Sequence, residues 1–434
     1  MNILIIGGGA AGLALAGRID GTKHRVVVLE QNSPEEYDKK WNWFDNLNVE
    51  ELRRLGYGGV LPEEFPARGD CVLVSPSGKY KLRFRFKRPL VFEQVYRPRM
   101  LTLLRERARE ASASLRYDTC AESLLVGENG RVEGVRLQDG RRIAADLTID
   151  CSGSSKLSAE LDGASAPALD EILTIYRGVF PREERNRPHA QLSVYLKPLG
   201  IRGAAGYSVD AAGNTDIHAG CVGKMDAETA DSVQGELVGD NAGWDRPDLH
   251  AAPWRAYRTP ARSPLTRLVF DGYVLLGDSA CMTVPTGSGI VNALYGAKLL
   301  AELINGGAST AQELWQYQLR YFRERAKNVW RLYTLKRWLM ESPDEVLEKL
   351  FAAHIAVPED AERIFSGRFV SLKPLDLLRR SIQLLSAPRL IMPIISMLSH
   401  AIWAEECGRQ IPEKYDEKKI EDWRRRLEKA MTLQ

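Results

Sequence analysis

Three glycines near the N-terminus, Gly7, Gly9 and Gly12, stand at G-x-G-x-x-G spacing, and Glu30 follows eighteen residues after the last of them. Each position has a physical task. A glycine at 7 permits a tight turn, and one at 9 lets backbone approach a pyrophosphate. One at 12 lets a helix pack close to a strand, with Ala10 and Ala11 offering N–H groups at the helix start. Glu30, with Gln31 beside it, is placed to accept from the ribose hydroxyls of an adenosine, and its charge disfavours a 2′-phosphate there. A second glycine block lies 270 residues after Gly7. It runs from Gly277-Asp278-Ser279-Ala280 to Pro285-Thr286-Gly287-Ser288-Gly289-Ile290. An aspartate at a strand end can accept from a polyol hydroxyl, and a following helix start can face a second negatively charged group.

The elements around these residues must bring the two blocks together. Asn2–Ile6 has the composition of a buried parallel strand, Leu13–Ile19 is spaced as a helix, and Arg25–Leu29 reads as the next strand. That order opens a doubly wound sheet. An amphipathic helix is expected at Arg99–Glu110, a short strand at Leu115–Tyr117, and turns at Glu128-Asn129-Gly130 and Asp139-Gly140. Strands at Asp146–Asp150 and Tyr273–Leu276 precede Cys151-Ser152-Gly153 and the second block. A helix is expected from Ile290 to Ile304. Residues 155–265 read as mixed strands and loops, and the chain beyond Thr310 as nearly all helical.

Composition sets bounds. The 434 residues suit two or three domains. With 60 Lys and Arg against 57 Asp and Glu, the net charge of +3 provides no field for nucleic acid. The six cysteines are widely spaced without C-x-x-C, which argues against a zinc site or a disulfide framework and fits a reducing cytoplasm. No metal site is expected. The N-terminus reads as a first strand rather than a signal peptide, and no stretch reaches the roughly 18 apolar residues of a bilayer span.

The second block resembles the flavin-binding stretch of glutathione-reductase-like flavoproteins, and most closely their hydroxylase, geranylgeranyl reductase and lycopene cyclase branch. Asp150-Cys151-Ser152-Gly153 is similar to their D-A-S-G or D-A-T-G segment. Tyr96-Arg97-Pro98-Arg99-Met100-Leu101 is similar to their R-x-x-L/F segment, whose arginine lies near the flavin. The resemblance covers residues 1 to about 305 in the family's order. It implies non-covalent FAD, held by Gly7, Gly9, Ala10, Ala11, Gly12, Glu30, Gln31, Arg97, Gly153, Gly277, Asp278, Pro285, Gly287, Ser288, Gly289 and Ile290. It also implies an α/β fold, with a Rossmann-type FAD-binding domain, an inserted α+β substrate domain and a helical C-terminal region. The boundaries expected are 1–64, 90–155 and 265–305 for the first, 65–89 and 156–264 for the second, and 306–434 for the third.

Within the branch, Pro285–Leu294 looks like the P-x-x-G-G-G-I-x-x-A of geranylgeranyl reductases, whose Y-x-W-x-F-P motif keeps only its tyrosine here, at Tyr207. The C-terminal helices and Trp41-Asn42-Trp43-Phe44-Asp45-Asn46 resemble lycopene cyclases. The acid that cyclisation needs is missing from Ile217-His218-Ala219-Gly220, unless Asp216 or Asp210 substitutes. The expectation is therefore an FAD-dependent oxidoreductase that reduces a C=C bond of a small hydrophobic, isoprenoid-like substrate. Tyr207 is the candidate proton donor, and Trp41, Trp43 and Tyr207 are the candidate pocket. A monooxygenase and a redox-neutral cyclase are the alternatives. With no second nucleotide fold in view, NAD(P)H or a reduced carrier protein would visit as donor. Packing roles suit Trp41, Trp43, Tyr207, His218 and Cys281 as well, and Lys414–Lys429 reads as a solvated helix. Leu377–Trp403, apolar with arginines at its rim, could touch the inner face of a membrane from the cytoplasm or cover a core.

Overall fold

The computed structural model describes residues 1–61, 71–84, 93–153, 157–161, 171–180, 192–209, 215–239, 255–282, 289–365 and 367–431. Asn2–Ile6 is the centre of a six-stranded sheet because its apolar run has partners on both sides. It pairs in parallel with Arg25–Leu29 and with Leu147–Asp150. Leu147–Asp150 in turn pairs in parallel with Tyr273–Leu275. Ser114–Arg116 and Val269–Phe270 form the edges. The register sets Ile6 against Asp150 and Asp150 against Leu275. Three turns from distant parts of the chain therefore leave the carboxyl ends of three adjacent strands, where open α/β sheets bind ligands.

The expected elements of this layer form within about three residues of their expected bounds. The first helix is Ala10–Ala16, the second-block helix Gly289–Asn305, and the amphipathic helix Arg97–Glu110. Pro98 lies in the first turn of the last of these, where its missing N–H costs nothing. Gly130 and Gly140 take positive φ in the two expected turns.

A seven-stranded sheet forms the second layer, with Ile172–Phe180, Thr215–Val222, Gly203–Val209 and Leu192–Leu196 at its middle. One of its faces carries Val72, Val74, Tyr195, Ala205 and Ile217 and packs against Ala230 and Val233 of helix Ala227–Gly239. The other face turns toward the C-terminal helices. Their long member, Ala311–Glu341, starts at a capping box. Glu313 N–H donates to the Thr310 hydroxyl at 3.3 Å, and the Glu313 carboxylate accepts from Thr310 N–H at 3.0 Å. Helix Glu417–Met431 is more than a solvated face. Ile420, Trp423 and Leu427 are buried, and the Trp423 indole donates to the Cys407 carbonyl at 2.9 Å.

Candidate functional site

At the first glycine turn the backbone leaves no room for side chains. Gly7 has φ +104°, and a Cβ there would stand 2.5 Å from the Cys151 carbonyl oxygen. A Cβ on Gly12 would stand 2.1 Å from the Gly7 carbonyl oxygen. Gly9 differs, since the space beside it is open and it lines a cavity. Helix Ala10–Ala16 has no side-chain cap, so its first N–H groups are left for whatever occupies that space. Glu30 is buried at the end of its strand. One carboxylate oxygen accepts Gly8 N–H at 3.1 Å and the other accepts Asn32 N–H at 2.9 Å. Sequence reasoning missed Tyr37, whose hydroxyl donates to the Gly8 carbonyl at 2.6 Å and holds the turn from outside. Only its position inside a capped helix, Pro34–Lys40, hinted at a fixed orientation.

The other two turns meet this one. Gly153 has φ +86° and Gly277 φ +79°. Asp150 is buried, accepting from Ser152 N–H at 2.9 Å and from the Tyr273 hydroxyl at 2.6 Å. Asp278 accepts from the Thr259 hydroxyl at 3.3 Å. Burial raises the Asp278 carboxyl above its ordinary range, and the positive charge of Arg97 opposes that rise. Gly289 and Ile290 open the next helix at the cavity wall, whereas Pro285, Gly287 and Ser288 lie outside the described residues. Cys281 beside the turn is buried, with its thiol pushed up to about 12, and remains protonated.

The cavity encloses about 1070 Å³ and runs from Gly7, Gly9, Glu30 and Gln31 across the seven-stranded sheet to the C-terminal helices. Where the two sheets meet, charge and aromatic rings interleave. Arg97 grips Asp45 with two bonds, of 2.5 and 2.8 Å. Arg177 pairs with buried Asp216 and donates to the Phe44 carbonyl at 2.8 Å. Both guanidiniums lie 4.9 Å from the Trp43 ring, which meets Tyr257 edge-on at 4.7 Å. Trp41 also lines the cavity, and its indole N–H is buried with no hydrogen-bond partner among the described residues.

Tyr207 does not join them. It pairs with Ile217 and Ser193, belongs to the opposite face of the seven-stranded sheet, and is packed in the cluster under helix Ala227–Gly239. Alternation along a strand decides this. Ala204 lines the cavity, while Ala205 and Tyr207 share the other face. Asp216, the substitute acid for cyclisation, is buried and ion-paired with Arg177, and Asp210 lies outside the described residues. Titratable groups that do face the cavity include Asp278, His218, Tyr257 and Lys336. Burial holds the His218 imidazole below its ordinary value, so it is neutral at pH 7. Burial pushes Tyr257 up to about 12 and pulls the Lys336 ammonium down to about 8. Lys336 and His218 are half-buried by area, but they are enclosed because their remaining surface faces the cavity. The Lys336 ammonium donates to the Ala261 carbonyl. Nothing in the sequence marked it out; it stands in helical spacing like its neighbours.

These residues fit a flavin dinucleotide. The cradle is closed to a Cβ at Gly7 and Gly12 and open at Gly9, an uncapped helix start and a buried acid flank it, and an unpartnered indole N–H faces the same space. The fold and the site define the class: the chain has the Rossmann-type fold of FAD-binding flavoproteins.

Comparison with known proteins agrees. A family profile described as tryptophan halogenase matches residues 94–195. The chain is 29% identical over 110 residues to the digeranylgeranylglycerophospholipid reductase of Methanothrix thermoacetophila, covering 24% of this chain and 28% of that protein. It is 25% identical over 317 residues to the rifampicin monooxygenase of Streptomyces venezuelae, covering 70% of this chain and 64% of that protein. The chain thus spans under two thirds of either relative. Among solved structures, a geranylgeranyl bacteriochlorophyll reductase-like protein of Thermoplasma acidophilum superposes with TM-score 0.65 at 17% identity, covering 87% and 95% of the two chains. Klebsiella pneumoniae HpxO, complexed with FAD and uric acid, gives 0.61 at 18% identity, covering 84% and 96%. These likenesses establish the fold.

Proposed function

We propose that the protein is an FAD-dependent oxidoreductase that reduces a C=C bond of a hydrophobic, isoprenoid-like substrate. One observation carries the reading: a single cavity joins the dinucleotide cradle to an apolar chamber walled by Leu173, Ile175, Leu335, Leu339, Phe351 and Met397. Bound FAD would supply the two-electron redox chemistry. The chain's own residues do the rest. Gly7, Gly9, Gly12, Glu30, Gly153, Gly277 and Asp278 hold the cofactor, and the second-block residues Pro285, Gly287 and Ser288 complete its binding. The leucine-rich wall excludes water and receives the substrate's apolar body. Saturation of an alkene takes up two electrons and two protons. Lys336, protonated at neutral pH and inside the cavity, is placed to give a proton where Tyr207 is not. Two partners go with this reading: an electron donor, NAD(P)H or a reduced carrier protein, and a lipid surface at the C-terminal helices.

A second reading, monooxygenation, draws support from the match to a monooxygenase over 70% of the chain. Anaerobic incubation of the reduced, FAD-loaded protein with a prenyl-chain alkene such as geranylgeraniol separates the two. A product that gains two hydrogens is expected, formed more slowly by Lys336→Gln at equal FAD content. Turnover that requires O₂ and puts an oxygen atom in the product overturns the reductase reading in favour of the second.

A further inference from the structure

A surface helix in water turns its leucines inward and its arginines outward. Helix Pro374–Leu384 does the reverse. Its buried residue is Arg380, whose guanidinium pairs with Asp360 at 2.5 Å and donates to the Ser371 carbonyl at 2.7 Å. Leu375, Leu378 and Ile382, with Leu385 at the helix end, follow one another at spacings of three and four and so share one face. They are 77%, 59%, 61% and 75% exposed. The next helix, Ile391–Arg409, adds Met392, Ile395, Ile402 and Trp403 to the exposed apolar surface. Of the twelve large hydrophobic side chains exposed among the described residues, nine lie between 375 and 403. Single exposed leucines are ordinary, but a concentration of this size marks an interaction surface.

The charges around it choose the partner. Lys373, Arg379 and Arg389 are exposed, and the one acid between 373 and 403 is Asp376, which accepts from the Ser371 hydroxyl. An apolar stripe with a cationic rim fits an anionic bilayer, where apolar side chains enter the acyl boundary and arginines meet headgroups. A second copy offering the same face across a two-fold axis would set cations against cations. No helix among the described residues is long and apolar enough to cross a membrane, so the contact lies in the interface plane. The inward side of the same segment, at Arg380, Ile394, Met397 and Leu398, lines the cavity.

We propose that the outer face of residues 374–403 docks on an anionic lipid bilayer, leaving the apolar end of the cavity one helix layer from the membrane. Its purpose rests on the hydrophobic-substrate reading, though its evidence does not. The test is flotation of the full, FAD-loaded chain with vesicles of phosphatidylcholine, alone or with roughly one third phosphatidylglycerol. The wild type is expected to float with the anionic vesicles, less with neutral ones, and less in high salt. Leu378→Glu with Ile382→Glu should lower partitioning at least about tenfold while flavin absorbance and melting temperature stay unchanged. Arg379→Gln and Arg389→Gln should each lower it about fivefold. Absence of wild-type flotation overturns the proposal, as does equal flotation of the glutamate variant. So does a dimer seen by light scattering that the variant disperses without any lipid binding. Vesicle binding by a protein that holds no flavin keeps the surface and overturns the flavoprotein reading; flavin without vesicle binding does the opposite.

Discussion

The two ends of the cavity are built on different principles. At the cradle, backbone faces backbone. Gly7 and Gly12 are set by a carbonyl oxygen 2.5 or 2.1 Å from where a Cβ would be, and no other residue type fits. At the chamber, side chains from the seven-stranded sheet and the C-terminal helices face one another, and a leucine there can be exchanged for another apolar residue at modest cost. The cradle therefore tolerates almost no change and says only which cofactor class fits. The chamber tolerates much change, and under the proposed function substrate choice would reside there.

Flavin retention is the measurement that separates the two ends. The largest loss is expected for Gly12→Val, where the branched side chain would drive into the Gly7 carbonyl oxygen. Purified protein should lack flavin absorbance and melt well below the wild type. Retention of flavin would show that the turn is not the binding site. A middle effect is expected for Glu30→Ala, which removes an acceptor at the proposed ribose position. FAD affinity should fall by about 1.5–3 kcal/mol, measured by fluorescence titration. Equal affinity would move the adenosine end elsewhere.

The smallest effect on flavin is expected for Lys336→Met, at the far side of the comparison. Its signature is in pH. The folded-state ammonium titrates near 8, against 10.5 for the ordinary lysine. Between those values the unfolded chain binds more protons, so this group makes stability rise with pH across that window; below pH 8 its unfavourable contribution is constant. Lys336→Met should leave FAD affinity unchanged and flatten the rise, as denaturant melts at pH 7.5 and 9.5 would show. A rise that persists in the variant would assign it to another group.

Much of the cradle was legible because its information is local. A glycine turn between a strand and a helix, an acid at the next strand end, and the aspartate after Gly277 are all read from neighbours in the chain. The chamber was legible only as composition. Tyr207 illustrates the limit: a motif matched the residue, but strand alternation turned it to the covered face beside Val72 and Ala205. Lys336 and Tyr37 illustrate the converse. Lys336 stands in an unremarkable helical stretch and Tyr37 in the short helix Pro34–Lys40 that only the structure shows, and each reaches the site because a helix from elsewhere packs there. The segment 374–403 looked the same from its composition whether it covered a core or faced outward, since an amphipathic pattern does not say which side another element will occupy.

What the chain's residues determined alone were the φ values that only glycine adopts, the strand and helix periods, and the order in which the turns occur. Those depend on sterics within a few residues. The tertiary structure decided that Ile6, Asp150 and Leu275 lie side by side, that Trp43 stands between two ion pairs, and that leucines 375, 378 and 385 point outward. Those outcomes depend on which surfaces bury each other, a choice made between segments hundreds of residues apart.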